Sequence, residues 1–73
     1  MNKEQKFILD VLVQQLILIA MEQQKLSVEE SMFLIYNSQL YEKIMDLDTG
    51  LYIQSPSYNY ELLKHEIKYG KIL

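Results

Sequence analysis

The apolar residues between Phe7 and Met21 fall on most sides of a predicted helix and not along a single stripe. With 3.6 residues per turn they occupy three adjacent sides. The first side holds Phe7, Val11, Leu18 and Met21, the second Ile8, Leu12 and Ile19, and the third Leu9, Val13, Leu16, Ile17 and Ala20. A helix that is apolar on most of its circumference is normally buried on most of it. The segment therefore predicts the central helix of the domain.

Capping residues predict where the other helices begin. Asn2, with Gln5 in the reciprocal position, starts the first helix, and Ser27, with Glu30 three residues later, starts the second. Ser55 followed by proline starts the last helix, because proline loses nothing at the first helical position. The predicted helices span residues 2–24, 28–37, 38–47 and 56–69. Residues 51–54 are predicted to form an ordered loop, and residues 71–73 a fraying tail.

The helical period also predicts which side chains point inward. On the second helix these are Met32, Ile35 and Tyr36, with Phe33 at the edge; the third carries Leu40, Tyr41, Ile44 and Met45; the fourth turns Leu62, Leu63 and Ile67 inward. The expected fold is all-α: a small compact bundle of three to four helices, with a long hydrophobic N-terminal helix, forming a single domain over residues 1–73.

The short chain limits how much of the first helix can be buried. A chain of 73 residues without cysteine has neither the core volume nor the disulfides to cover so apolar a helix completely. The side formed by Phe7, Val11, Leu18 and Met21 lies beside polar residues of the same helix, so we expect it to face away from the core. These four residues are the predicted protein interface, and the expected partner is a second copy of the chain, as in a homodimer, or another protein.

The charge distribution disfavours nucleic acid as a partner. The chain has seven lysines, no arginine and ten acidic residues, for a net charge of −3, whereas nucleic-acid binding usually needs a clustered basic face. The two short helices at 28–37 and 38–47 nevertheless have the arrangement of a helix-turn-helix. The second would present Gln39, Glu42, Lys43 and Asp46. We favour a structural helical corner, and a small DNA-associated transcriptional regulator stays the alternative.

No arrangement of residues in the sequence is typical of an enzyme, a cofactor site or a small-molecule substrate site. Glu61 and His65, one helical turn apart, supply two metal ligands where a stable site needs three or four. Asp46 and Asp48 lack the closing glutamate of a calcium loop, since position 57 is serine. We expect a non-enzymatic protein without metal or cofactor.

The start of the chain superficially resembles a signal peptide, but Asp10, Gln14 and Gln15 interrupt its apolar run. The uninterrupted apolar segment from Leu16 to Met21 has six residues, against about 20 for a bilayer span. We therefore expect a cytoplasmic protein with no membrane association.

Six tyrosines are many for so short a chain, and five of them lie in or beside the segment joining the second and fourth helices. These five are Tyr36, Tyr41, Tyr52, Tyr58 and Tyr60. Tyrosine rings serve both thin cores and interfaces. They either hold residues 51–57 against the helices, which we favour, or contribute to an interface.

The order of several short motifs resembles small bacterial proteins of unknown function of the DUF3791-like family. The motifs are Leu26-Ser27-Val28-Glu29-Glu30, Tyr36-Asn37-Ser38, Tyr41-Glu42-Lys43-Ile44, Asp48-Thr49-Gly50-Leu51-Tyr52 and Ser55-Pro56-Ser57-Tyr58. Residues 50–60 depart from the usual ending of that family. Genes of this family often lie beside ADP-ribosyltransferase-like toxins, so the resemblance implies an antitoxin or accessory role with a toxin as the partner.

Overall fold

Four α-helices follow one another along the chain in the computed structural model, which describes residues 1–71. They are α1 (Lys3–Gln24), α2 (Val28–Tyr36), α3 (Gln39–Met45) and α4 (Pro56–Tyr69), with two short 3₁₀ turns, Leu47–Thr49 and Leu51–Ile53, between α3 and α4. Residues 1–71 contain no strand, so the predicted all-α fold with a long N-terminal helix is confirmed. Of the predicted tail, residues 72 and 73 lie outside the described residues.

The helices begin where the capping residues predict. The side-chain oxygens of Asn2, Ser27 and Ser55 accept backbone N–H groups of the first turns of α1, α2 and α4, at 2.8, 3.1 and 3.0 Å. At α1 and α2 the third helical residue returns the bond, which completes a capping box in each case. Gly70 takes a left-handed conformation, with φ of 77°, and ends α4. The helix starts therefore depend on contacts between residues close in sequence.

The capping contact of Glu30 makes the stability of the fold depend on pH. Its carboxylate accepts the backbone N–H of Ser27 at 2.8 Å, and this bond, with the Ser27 hydroxyl, lowers the pKa of Glu30. Because the folded pKa lies below the unfolded one, the stabilisation is present above the unfolded pKa and is lost as pH falls through the folded value. We expect Glu30→Gln to flatten the fall in urea midpoint between about pH 5 and pH 3. An unchanged fall in urea midpoint at low pH would contradict this role. The control is Glu29→Gln, because Glu29 lies in the same turn but does not make that bond.

The core forms along the inner side of α1, which packs against α2, α4 and the second 3₁₀ turn. Its buried residues are Leu9, Leu12, Val13, Leu16 and Ala20 from α1, Ile35 from α2, Leu40 and Ile44 from α3, and Tyr60 and Leu63 from α4. The radius of gyration is 11.5 Å, close to the value of about 11 Å expected for a compact chain of this length.

The predicted inward side of α2 is wrong for two of its three residues. Ile35 is completely buried, but Met32 and Tyr36 are exposed, and the second buried residue of α2 is Ser31. Ser31 and Ile35 are four residues apart and form a narrow contact strip. Each exposed residue directly follows one of them, so it is rotated about 100° away from α1.

Ile67 is also exposed, although the period of α4 predicts it inward. α1 ends at Gln24, whose side chain donates to the Tyr60 hydroxyl at 2.9 Å. Leu63 is buried and Leu62 half-buried, as expected.

Residues 51–54, predicted as an ordered loop, are held by a buried side chain of α4. The side-chain nitrogen of Asn59 donates to the carbonyl oxygens of Leu51, Ser55 and Gln54, at 3.0, 3.2 and 3.5 Å. Asn59 is completely buried. Residues 51–53 form a 3₁₀ turn whose Tyr52 packs against the core.

The tyrosines serve different purposes. Tyr60 is buried, and Tyr41 and Tyr52 are half-buried against the core. Tyr36 and Tyr58 are exposed, although the ring of Tyr36 meets that of Tyr41 edge-on, with 5.1 Å between centroids. The predicted role of holding the 51–57 segment therefore fits Tyr52 but not Tyr36 or Tyr58.

Candidate interaction surface

One side of α1 faces solvent and is apolar. Phe7 is 69% exposed, Val11 39% and Leu18 56%. Successive residues of a helix are about 100° apart, which places these three within a narrow sector directly opposite the buried Leu9, Leu16 and Ala20. We call this side of α1, from Phe7 to Met21, the outer face. Its residues are Phe7, Ile8, Val11, Gln14, Gln15, Leu18 and Met21.

The N-terminal half of the outer face continues into a shallow groove of about 350 Å³. Its lining comes from α1 and from the segment between α3 and α4: Phe7, Ile8, Val11, Leu12, Tyr52, Ile53, Gln54 and Pro56. None of these side chains is charged. Ile53, 66% exposed, forms the far wall of the groove, because the second 3₁₀ turn places it beside α1. The apolar surface is therefore wider than one helix face.

The structure brings together only part of the predicted interface set. Phe7 and Val11 share the groove, and Leu18 lies two turns after Val11 on the same face. Met21 is half-buried, at the edge of the face. Ile8 and Ile53 belong to the surface but are absent from the predicted set. No signal in the sequence relates Ile53 to α1, because their contact depends on how the chain folds between α3 and α4.

Charge is confined to the edges and ends of the outer face. Lys6 and Asp10 form an exposed ion pair at 3.3 Å along one flank. Glu4 precedes the apolar stretch, and Glu22 and Lys25 follow it. An apolar surface bounded by polar groups is typical of a surface that another protein covers.

The residues considered for metal binding are engaged otherwise. Nδ1 of His65 lies 2.9 Å from the carbonyl oxygen of Lys71, and Glu61 forms an ion pair with Lys64 at 3.2 Å. Asp46 caps the first 3₁₀ turn through the backbone N–H of Asp48, at 3.1 Å. Within residues 1–71 no three or more His, Asp or Glu side chains are grouped so that they could hold a metal ion.

A carboxylate of α4 contacts the corner between α2 and α3, and no pattern in the sequence predicts this contact. The carboxylate of Glu66, on α4, accepts the backbone N–H groups of Gln39 and Leu40 at 2.7 and 3.0 Å. These are free amides of the first turn of α3. In a helix-turn-helix the N-terminal part of the second helix approaches the DNA. A carboxylate at that position repels phosphate, which weighs against DNA binding by this corner.

The length and composition of α1 are also sufficient for a membrane span. Central helices of water-soluble domains and signal sequences pass the same test, so it is weak evidence. The helix supplies five of the ten buried core residues, and a spanning helix would withdraw them from that core. The contacts of α1 therefore favour its role as the central helix of this domain.

The fold and surface together define a small helical domain with an exposed apolar face. Comparison with protein-family models, with curated proteins and with solved structures finds no match in any of the three.

Proposed function

We propose that the chain is a non-enzymatic, cytoplasmic protein-interaction module that associates with another protein surface through the outer face of α1. The partner is a second copy of the chain or a partner protein, and the resemblance to DUF3791-like proteins makes a toxin the class of that partner, with this chain as its antitoxin. The observation that carries the proposal is the exposure of Phe7, Val11 and Leu18 opposite the buried side of the same helix.

The free energy available from covering this face and the adjoining groove supports the proposal. Complete burial of one large apolar side chain is worth about 1.5–3 kcal/mol. Phe7, Leu18 and Ile53 each keep more than half of their surface exposed. Covering these three contributes about 3 kcal/mol per chain, which offsets part of the entropy lost on association.

The test replaces two exposed residues of the outer face by lysine. We expect size-exclusion chromatography with light scattering to give a species larger than the 8.7 kDa chain for the wild type. The Val11→Lys/Leu18→Lys variant should elute as a monomer with an unchanged far-ultraviolet circular dichroism spectrum, because two charges on the contact surface are costly to desolvate.

The matched control is Tyr58→Lys/Ile67→Lys, which replaces two exposed apolar residues of α4 and should leave the assembly intact. A wild-type chain that stays monomeric at high concentration, with no other protein present, would contradict self-association. Loss of helicity in the α1 variant would mean that Val11 and Leu18 belong to the core, and the proposal would then fail.

A further inference from the structure

Residue types along α1 match in most pairs about the midpoint between Gln14 and Gln15, and the exception on the outer face is Phe7, whose counterpart is Glu22. In one direction from this midpoint come Gln14, Val11, Ile8 and Glu4, and in the other Gln15, Leu18, Met21 and Lys25. The spacings are three, three and four residues on both sides. Amide matches amide, apolar matches apolar, and a glutamate at one end matches a lysine at the other.

From this symmetry we infer that the occupant of the outer face is a second copy of the chain, with the two α1 helices antiparallel and related by a two-fold axis near Gln14 and Gln15. The inference rests on the proposed function and specifies its partner. A two-fold contact brings the same surface of both chains together, so that surface must be complementary to itself. The matching pairs along α1 provide most of this complementarity.

Most of the face has a suitable counterpart in the antiparallel pair, whereas Phe7 lies at the level of Glu22 of the partner. Val11 of one protomer lies at the level of Leu18 of its partner, and Gln14 at the level of Gln15. A glutamine side chain both donates and accepts hydrogen bonds, so two amides can bond across the axis. Glu4 lies at the level of Lys25 of the partner, which places opposite charges together at both ends.

A parallel pair is less favourable. It would place Glu4 beside Glu4 and Lys25 beside Lys25 of the two protomers, and like charges at close range repel. It would also align the two helix dipoles in the same direction, whereas an antiparallel pair places each helix end beside the opposite end of its partner.

Disulfide cross-linking separates the two orientations, and the cysteine-free chain makes each introduced thiol unique. A disulfide needs Cα atoms within about 7 Å. In the antiparallel pair, Val11 of one protomer and Val11 of its partner are separated by the rise of seven residues, about 10 Å along the helix axis. We therefore expect Val11→Cys alone and Leu18→Cys alone to cross-link poorly under mild oxidation, and their equimolar mixture to give a mixed dimer.

Gln15→Cys should cross-link with itself because it lies near the axis, and Asp48→Cys, exposed on the first 3₁₀ turn, should not. Efficient cross-linking of Val11→Cys with itself would show a parallel pair and overturn the inference, while the proposed function would stand if Val11→Lys/Leu18→Lys still dissolves the assembly. Failure of Gln15→Cys to cross-link would overturn self-pairing through this face.

Discussion

The Leu16→Ala variant is expected to unfold with a free energy about 3 kcal/mol lower than that of the wild type. Leu16 is completely buried on the inner side of α1, so truncation removes apolar contacts and leaves a cavity in the small core. Total stabilities amount to about 0.05–0.15 kcal/mol per residue, so this loss is a large share of what a chain of 73 residues can have. Urea denaturation followed by circular dichroism measures it.

Leu18→Ala is the matched control, since it makes the same change two residues along the same helix, at a position 56% exposed. The difference in helix propensity between leucine and alanine is the same in both variants and cancels. At low protein concentration, where association contributes least, we expect Leu18→Ala to change the unfolding free energy by less than about 1 kcal/mol. Equal losses would mean that α1 is not oriented as described.

Sequence reasoning succeeded where the determining contacts are local. The starts of α1 and α2 depend on bonds between residues three apart, Asn2 with Gln5 and Ser27 with Glu30, and these pairs are visible as patterns of adjacent letters. The orientation of α1 also followed from local information, because polar neighbours on the same helix indicate which apolar side faces solvent. Phe7, Val11 and Leu18 are indeed exposed, and their role in binding stays a prediction.

Sequence reasoning failed where a contact joins distant parts of the chain. The spacing of Met32 and Tyr36 predicts that they point inward, but the narrow contact strip of Ser31 and Ile35 decides the rotation of α2. Glu66 reaches the start of α3 across more than twenty residues of sequence. No periodic pattern encodes such a contact, since it depends on how the helices pack.

The groove beside the outer face cannot be predicted from the sequence for the same reason. Ile53 reaches α1 only because residues 51–53 form a 3₁₀ turn, and this turn is held by hydrogen bonds from the side chain of Asn59. As an isolated polar residue within an amphipathic helix, Asn59 has the appearance of a surface residue. Its complete burial links the interior of the domain to the shape of the candidate interaction surface.

Asn59→Asp is therefore expected to be strongly destabilising at neutral pH, by about 3–5 kcal/mol. The substitution keeps the size of the side chain but replaces the nitrogen, which donates to the carbonyl oxygens of Leu51, Ser55 and Gln54, by an oxygen that carries negative charge. The new carboxylate would be buried among acceptors, so its pKa in the folded state must rise above the unfolded value.

This rise gives the variant a pH dependence of opposite sign to that of Glu30. With the folded pKa above the unfolded one, the folded state binds more protons between the two values, so stability is regained as pH falls through the folded pKa. Urea midpoints measured from pH 7 down to about pH 4.5 should therefore increase for Asn59→Asp. The same series for the wild type lacks this gain.

Asn37→Asp is the control, because Asn37 also donates from its side chain to a carbonyl oxygen, that of Phe33 at 2.8 Å, but is exposed. Water solvates the new charge there, so we expect a loss of about 1 kcal/mol or less and little recovery in acid. If both variants lost the same free energy, burial of Asn59 would not be the cause. If instead Asn59→Asp lost stability without regaining it at low pH, the carbonyl cluster would not face this side chain, and the support of Ile53 beside α1 would need another origin.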